Sequence, residues 1–201
     1  MRIFRSNRLR EDLFVLSTDR LFLRVVRPEA DVSVADYLVR NRVFHAPFHQ
    51  YQPDRYFTRE EQRQYILSDI RAFERGERYP FWISTKAEPE RVIGRLSFSN
   101  VIRGALLSCH AGYHMDQGEL RKGYMKEALS AGCEYMFSEL RLHRIQADVM
   151  PHNLASIQTV ESCGFRRQGL NEQYMCIAGK WQDHLCFAKI NDESGRENLV
   201  L

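Results

Sequence analysis

The hydrophobic and polar positions of this chain change their period several times, and each period predicts a different kind of element. A two-residue alternation, as in Leu21, Leu23 and Val25, predicts strands, and a recurrence every three or four residues predicts helices. Strands are predicted over residues 18–26, 81–85, 92–101, 106–115, 143–150, 172–177 and 181–190, and helices over 31–42, 59–75, 122–140 and 153–163. This mixture predicts an α+β (α/β mixed) domain around one central sheet.

The helix over residues 122–140 has the clearest pattern. Its apolar side chains form one stripe, so it is expected to pack on the sheet. It links the strands at 106–115 and 143–150, and a strand, helix, strand order favours parallel pairing of those two strands. Short turns at Arg103-Gly104 and Ala178-Gly179-Lys180 predict antiparallel hairpins elsewhere in the sheet.

A glycine-containing loop, Gln117 to Met125, opens this long helix. Backbone N–H groups in such a loop and at a helix N-terminus attract anions, and Arg121 and Lys122 add positive charge. On the loop alone, a phosphate site and a plain strand-to-helix turn are equally good interpretations.

Further motifs occur around this loop in a fixed order. They are G-Y-H-M at 112–115, R-K-G-Y-M-K-E-A-L at 121–129, H-R-I at 143–145, P-H-N-L-A-S at 151–156 and C-G-F at 163–165. Together they resemble the GNAT superfamily and, more narrowly, its RimJ/RimL branch of ribosomal-protein-alanine N-acetyltransferases. The RimJ-like similarity continues in R-S-N at 5–7, T-D-R-L at 18–21, F-S-N-V at 98–101 and G-K-W-Q-D-H at 179–184.

The resemblance implies the GNAT fold. That fold is a mixed, mostly antiparallel sheet of about seven strands, with a V-shaped splay and flanking helices. The implied domain covers residues 18–190, between an N-terminal segment at 1–17 and a polar tail at 191–201.

The resemblance also implies acetyl-CoA as co-substrate, with its pantetheine arm between the strands of Tyr113 to Met115 and Asp148 to Met150. The residues implied in binding it are Tyr113, His114, Met115, Arg121, Lys122, Gly123, Tyr124, Met125, Lys126, Asn153 and Ser156. The loop departs from the superfamily pattern, because Leu120 replaces a Gln or Arg and Met125 replaces a small residue. Gly123 is present, and backbone donors are expected to hold the pyrophosphate.

Direct attack of an amine on the acetyl thioester needs a base, a donor to the carbonyl and an acid for the thiolate. His110 is the candidate base, at a strand position where many GNAT enzymes carry a glutamate; a packed or solvent-facing histidine is the alternative. Glu172 and Asp148 are weaker candidates for the base. The resemblance implies the Met115 N–H as the carbonyl donor and Ser156 as the acid, although Ser156 is also compatible with a plain helix-surface serine.

Substrate choice depends on the segment from Val43 to Arg75. Its loop from His45 to His49 is either a hydrophobic plug on the core or a wall of the substrate pocket. The resemblance implies an acceptor that is the N-terminal α-amine of a protein, specifically a ribosomal protein beginning with alanine. Two alternatives stay open: acetylation of a small-molecule amine or antibiotic, and a non-catalytic acyl-CoA-binding regulatory module.

Composition narrows the class of protein further. A length of 201 residues with 44% hydrophobic content fits one domain, and a net charge of +3 does not favour a nucleic-acid binder. The chain has no apolar run near the roughly 18 residues of a membrane span and no secretion-signal pattern at its start. We therefore expect a cytoplasmic monomer or homodimer with no membrane or nucleic-acid partner.

The five cysteines form no C-x-x-C pair, which predicts reduced thiols and no metal site. Cys109 and His110 are neighbours on a predicted strand and so point to opposite faces. A covalent enzyme intermediate is therefore not expected.

Overall fold

A computed structural model describes residues 12–192, and these form one eight-stranded sheet with five helices. The strands are β1 (Phe14–Ser17), β2 (Leu21–Val25), β3 (Tyr79–Thr85), β4 (Gly94–Ile102), β5 (Ser108–Met115), β6 (Arg144–Val149), β7 (Arg166–Ile177) and β8 (Lys180–Ile190). The helices are α1 (Asp31–Arg40), α2 (Arg42–His45), α3 (Arg59–Glu74), α4 (Tyr124–Ser138) and α5 (Leu154–Ser162). The R-S-N motif at 5–7 and the tail after Asp192 lie outside the described residues.

The strand order is β1-β2-β3-β4-β5-β6-β8-β7. Every neighbouring pair is antiparallel except β5 and β6, which are parallel, as the strand, helix, strand order predicts. The mixed, mostly antiparallel sheet of the predicted fold is confirmed, with eight strands rather than about seven. The additional strand is β1, which pairs with β2 and lies before residue 18, where the predicted domain begins.

The sheet opens between β5 and β6. Their pairing ends at His110 and Gln146. Past that point β5 stays on β4 as far as Met115, and β6 stays on β8 as far as Val149. Each strand follows a different neighbour, so the two diverge and form the predicted V-shaped splay, called the gap below.

The helices cover the two faces of the sheet. On one face, α4 packs against fully buried side chains such as Phe98 and Ile145, and α5 adds Val160. On the other face, α1 and α3 bury Tyr37 and Ile66 against Trp82 of β3. Burying one large apolar side chain contributes about 1.5–3 kcal/mol, so these two layers hold the sheet from both sides.

Alternation along β5 divides its side chains between these layers. Cys109, Ala111 and Met115 belong to the α4 layer, whereas His114 contacts Tyr37 of α1 on the opposite face. We call the face of β5 that carries His110, Gly112 and His114 the α1 face.

Helix α4 lies very close to the sheet at one glycine. A Cβ built on Gly132 would stand 2.7 Å from Cε2 of Phe98 and 2.8 Å from Cδ2 of Leu96, both fully buried. Only glycine fits this position without displacing the core. Within residues 12–192, no helix is long and apolar enough to cross a bilayer.

Candidate active site

The loop between β5 and α4 ends in an unusual backbone conformation. Arg121 and Gly123 both have positive φ, of 62° and 77°, and Gly123 is the N-cap of α4. The Glu127 amide bonds back to the Gly123 carbonyl at 3.1 Å, so the helical bonds begin there. The amides of the first helical turn, from Tyr124 to Lys126, therefore have no intrahelical partner and form an anion-binding edge.

Basic side chains surround this edge. Arg121 and Lys126 are exposed on it. The Lys122 ammonium is also exposed, but it lies 2.8 Å from a Glu119 carboxylate oxygen, and Glu119 also binds Arg91 at 2.7 Å. Arg121 and Lys126 therefore offer charge to a phosphate more directly than Lys122 does.

An arginine far away in sequence holds the loop, and its contact was not predicted. Arg20 Nε lies 2.6 Å from Glu127 Oε2, its Nη1 donates to the Lys122 carbonyl, and its guanidinium stacks 4.7 Å over the Tyr124 ring. Thr18 donates to the other Glu127 oxygen at 2.6 Å. We call these Thr18 and Arg20 contacts with Glu127 the brace.

Two predicted cofactor residues turn their side chains away from the loop. Met125 is buried in the core below α4, and Tyr124 packs against the same core. Both contribute main-chain amides at the helix start. This placement gives a reason for the methionine where the superfamily pattern has a small residue, since its side chain points into the protein.

Two hydroxyl groups, one from β5 and one from α5, are in contact beside the gap. The Tyr113 phenol oxygen lies 2.8 Å from Ser156 Oγ and also donates to the Ser156 carbonyl at 3.1 Å. Asn153, the N-cap of α5, accepts a bond from the Ser156 amide at 3.1 Å. Burial raises the pKa of Tyr113, so this phenol remains a proton donor across the physiological range.

Main-chain amides of β5 line the gap. The Asp116 amide donates to the Ile93 carbonyl at 2.8 Å, on the β4 side. Since amide directions alternate along a strand, the amides of Met115 and Tyr113 point the other way, into the gap. The Met115 carbonyl points there too and accepts a bond from His45 Nε2 at 2.9 Å.

The predicted bases His110 and Asp148 are in contact on the α1 face. His110 Nδ1 lies 3.3 Å from Asp148 Oδ2, and Gln146 Nε2 donates to both carboxylate oxygens at 3.1 and 3.2 Å. The Asp148 side chain is 3% exposed and that of His110 is 32% exposed. A fixed, buried carboxylate therefore lies against an imidazole that is partly exposed to solvent. The third candidate, Glu172, is exposed on β7.

The side chain of His114, a predicted cofactor-binding residue, lies in a histidine cluster on the α1 face. Its Nδ1 lies 2.6 Å from the Tyr37 phenol oxygen, and its ring centroid is 5.0 Å from those of both His45 and His49. Burial lowers the pKa of all three histidines, to about 4 for His49 and well below the usual value for His114. The cluster is therefore neutral at physiological pH.

A cavity of about 270 Å³ adjoins this cluster. It is lined by residues of α1, α2 and the following loop, with His45 and His49 on the side nearest β5. The turn between β7 and β8 borders it, because Ala178 lines the cavity and its amide donates to the His49 carbonyl at 3.0 Å. In the loop from His45 to His49, His45 is buried against β5 and His49 lines the cavity. The role of this loop as a wall of the substrate pocket stays a prediction.

The remaining predictions about reactive groups concern thiols and metals. All five cysteines are free thiols, and four of them are buried. Across the described part of the chain, no three His, Cys, Asp or Glu side chains are arranged to hold a metal ion.

Comparison with known proteins identifies the family. Residues 20–166 match the acetyltransferase (GNAT) domain. The probable N-acetyltransferase YjcK of Bacillus subtilis is 40% identical over 153 residues, which cover 76% of this chain and 84% of that protein. The [ribosomal protein uS5]-alanine N-acetyltransferase of Escherichia coli is 36% identical over 174 residues, which cover 86% and 89%.

A solved structure of a relative has the same fold. RimJ of Mycobacterium smegmatis, in complex with a CoA disulfide, superposes with a TM-score of 0.81 at 26% identity, covering 88% of this chain and 84% of that one. The family match spans well over half of the chain, and the sheet has the splay between β5 and β6. The chain therefore belongs to the GNAT acetyltransferases, and it is similar to their ribosomal-protein-alanine N-acetyltransferase branch.

Proposed function

We propose that this acetyltransferase moves the acetyl group of acetyl-CoA to the N-terminal α-amine of a protein, specifically a ribosomal protein that begins with alanine. The amine attacks the thioester directly, without a covalent enzyme intermediate. The observation that carries the proposal is the gap itself, which has an anion-binding helix start at one end and the paired His110 and Asp148 at the other. The names of the relatives support the choice of acceptor.

The cofactor end of the gap fits a diphosphate. The free amides from Tyr124 to Lys126, with Arg121 and Lys126 beside them, provide donors and charge for it. Asn153 shapes the start of α5 on the other side of the gap. The pantetheine arm would lie between β5 and β6, where the strands do not pair and the β5 amides are available.

The reacting end fits acyl transfer to an amine. An N-terminal α-amine has a pKa near 8, so only a modest base is needed, and His110 held by Asp148 meets that need. The inward amides of β5, those of Tyr113 and of the predicted donor Met115, are the candidates to polarise the thioester carbonyl. Ser156, in contact with the Tyr113 phenol, would return a proton to the leaving thiolate. The bond from the amine nitrogen to the acetyl carbon forms as the carbon–sulfur bond breaks.

The acceptor enters on the α1 face, where the His110 ring is partly exposed and the cavity next to His49 is open to further residues of a chain. The five free cysteines are compatible with the reducing cytoplasm, where we place the enzyme as a monomer or homodimer.

The decisive experiment measures CoA release with acetyl-CoA and a panel of acceptors. The panel contains a peptide beginning with alanine, the same peptide with a blocked N-terminus, and small amines that include an aminoglycoside. We expect turnover with the free peptide alone, and mass spectrometry should place the acetyl group on its α-amine. Turnover with the small amines and none with the peptide would refute the proposed acceptor, and no turnover with any of them would leave only acyl-CoA binding.

A further inference from the structure

Neither the backbone conformation nor the packing of the described chain requires a glycine at position 112. Gly112 lies inside β5, its φ is outside the positive region, and it is exposed. A Cβ added to it would meet no atom within 4 Å. Glycine inside a strand costs about 0.5–1 kcal/mol relative to alanine, so this position gives up stability without a backbone or packing reason within the described chain.

Other glycines have reasons that can be seen. A Cβ on Gly94 would stand 3.0 Å from the His114 carbonyl oxygen, and one on Gly132 would strike Phe98. Gly123 has the positive φ described above. Gly169 is the other strand glycine with open surroundings, and it lies beside an irregularity in the register of β7. Gly112 stands in regular pairing with Ser97 of β4.

The neighbours of Gly112 belong to the proposed site. On the α1 face of β5, Gly112 lies between His110 and His114. His110 contacts Asp148, and His114 belongs to the histidine cluster. Its cross-strand neighbour Ser97 is also small. Gly112 and Ser97 therefore form a shallow strip over β5 and β4, two residues past the last pair of β5 with β6.

We infer that this strip, centred on Gly112, is where the main chain of the acceptor lies. An extended polypeptide N-terminus would place its backbone against Gly112, with its α-amine beside His110 and its next residues towards His49 and the cavity. Glycine in a strand is suited to a close backbone approach, which a side chain would block. The inference rests on the proposed function and adds that the contact of the acceptor backbone with Gly112 is what favours the N-terminus of a polypeptide as acceptor.

The direction in which a side chain at position 112 would project distinguishes an effect on acceptor binding from an effect on cofactor binding. A side chain at Gly112 would project on the α1 face, away from the α4 layer that contains the helix start and the Tyr113 to Ser156 contact. A substituent there would obstruct the peptide and leave the CoA groove unchanged.

The test compares Gly112→Ala and Gly112→Val with Gly169→Ala and Gly169→Val as matched controls. We expect both Gly112 variants to fold with an unchanged or higher Tm and to bind acetyl-CoA within twofold of the wild-type Kd by calorimetry. Their kcat/KM for the alanine peptide should fall in order of size, by about threefold for alanine and at least thirtyfold for valine. The Gly169 variants should match the wild type.

The outcomes are distinct. If the wild type acetylates the peptide and Gly112→Val does so equally well, the inference is wrong and the proposed function stands. A tenfold weaker acetyl-CoA Kd in the Gly112 variants would also overturn it, because the strip would then belong to the cofactor. If the wild type acetylates no peptide, both proposals fail. If valine prevents folding, the alanine variant alone decides.

Discussion

Replacing Gly123 with aspartate tests the phosphate loop most directly. Its φ of 77° is one that Asp and Asn tolerate better than most residues, and a new Cβ would lie 3.5 Å from Arg20 Nη2 without a clash. Asp at this left-handed position still costs about 1 kcal/mol relative to glycine, which a folded domain tolerates and which the Gly123→Asn variant shares. The variant should therefore fold, and its defect should be confined to the binding of the anionic cofactor.

The expected magnitude follows from the charge. A carboxylate about 4 Å from one phosphate charge costs about 4 kcal/mol at the effective dielectric constant of a protein surface. Arg20 and dissolved salt reduce this cost, so we expect a loss of about 2–3 kcal/mol, or about 30- to 150-fold in Kd. The neutral Gly123→Asn variant has nearly the same shape and should lose less than about fivefold.

The assay is calorimetry of acetyl-CoA binding to folded protein at two salt concentrations. Gly104→Asp is the matched control, because Gly104 has a φ of 70° and a Cβ there meets nothing within 4 Å. The reasoning is refuted if Gly123→Asp binds acetyl-CoA as tightly as the wild type. Equal losses in the Asp and Asn variants would also refute it, since shape and not charge would then be the cause.

Three further predictions concern the base, the core and the pH dependence of stability. Asp148→Asn removes the charge that faces His110 and should lower kcat about tenfold with an unchanged acetyl-CoA KM in steady-state kinetics. If the double variant His110→Ala, Asp148→Asn loses activity by the product of the two single losses, the two residues act separately and the reasoning is wrong. Gly132→Ala should lower Tm by about 2–4 °C in thermal unfolding, because overpacking against Phe98 outweighs the gain in helix propensity by about 1 kcal/mol; an unchanged Tm would contradict it. The free energy of unfolding should fall as the pH drops from 6.5 to about 4, because a histidine in the unfolded chain binds a proton near pH 6.5 whereas the pKa of His49 in the folded protein is about 4. In urea unfolding, the His49→Asn variant should lose less stability over this pH range than the wild type. An equal loss would contradict the assignment to His49.

Local patterns predicted most of the fold. The apolar stripe predicted α4, and the strand, helix, strand order predicted the parallel pairing that leads to the gap. The first strand, β1, was missed because four residues are too few for an alternation to stand out. The first half of β7 was missed because residues 166–170 are exposed at the sheet edge, and only pairing with β8 makes them a strand.

The candidate site was predicted residue by residue, but its contacts were not. His110 and Asp148 were separate candidates in the sequence, and their contact depends on the register that sets His110 beside Gln146. Tyr113 and Ser156 meet because the Tyr113 side chain reaches from β5 to α5, the helix that follows β6. The roles of these residues in catalysis stay predictions, because they require a bound substrate.

The brace has a practical consequence for how fragments of this protein are cut. Glu127 belongs to α4, the helix at whose start we propose the diphosphate binds, yet its partners Thr18 and Arg20 come from the turn before β2, more than 100 residues earlier. A recombinant fragment trimmed to begin at Leu21 would retain the whole loop and lose both partners. Chimeras between homologues should therefore exchange this turn and α4 together, since exchanging either one alone would separate Glu127 from Arg20 beside the proposed diphosphate site.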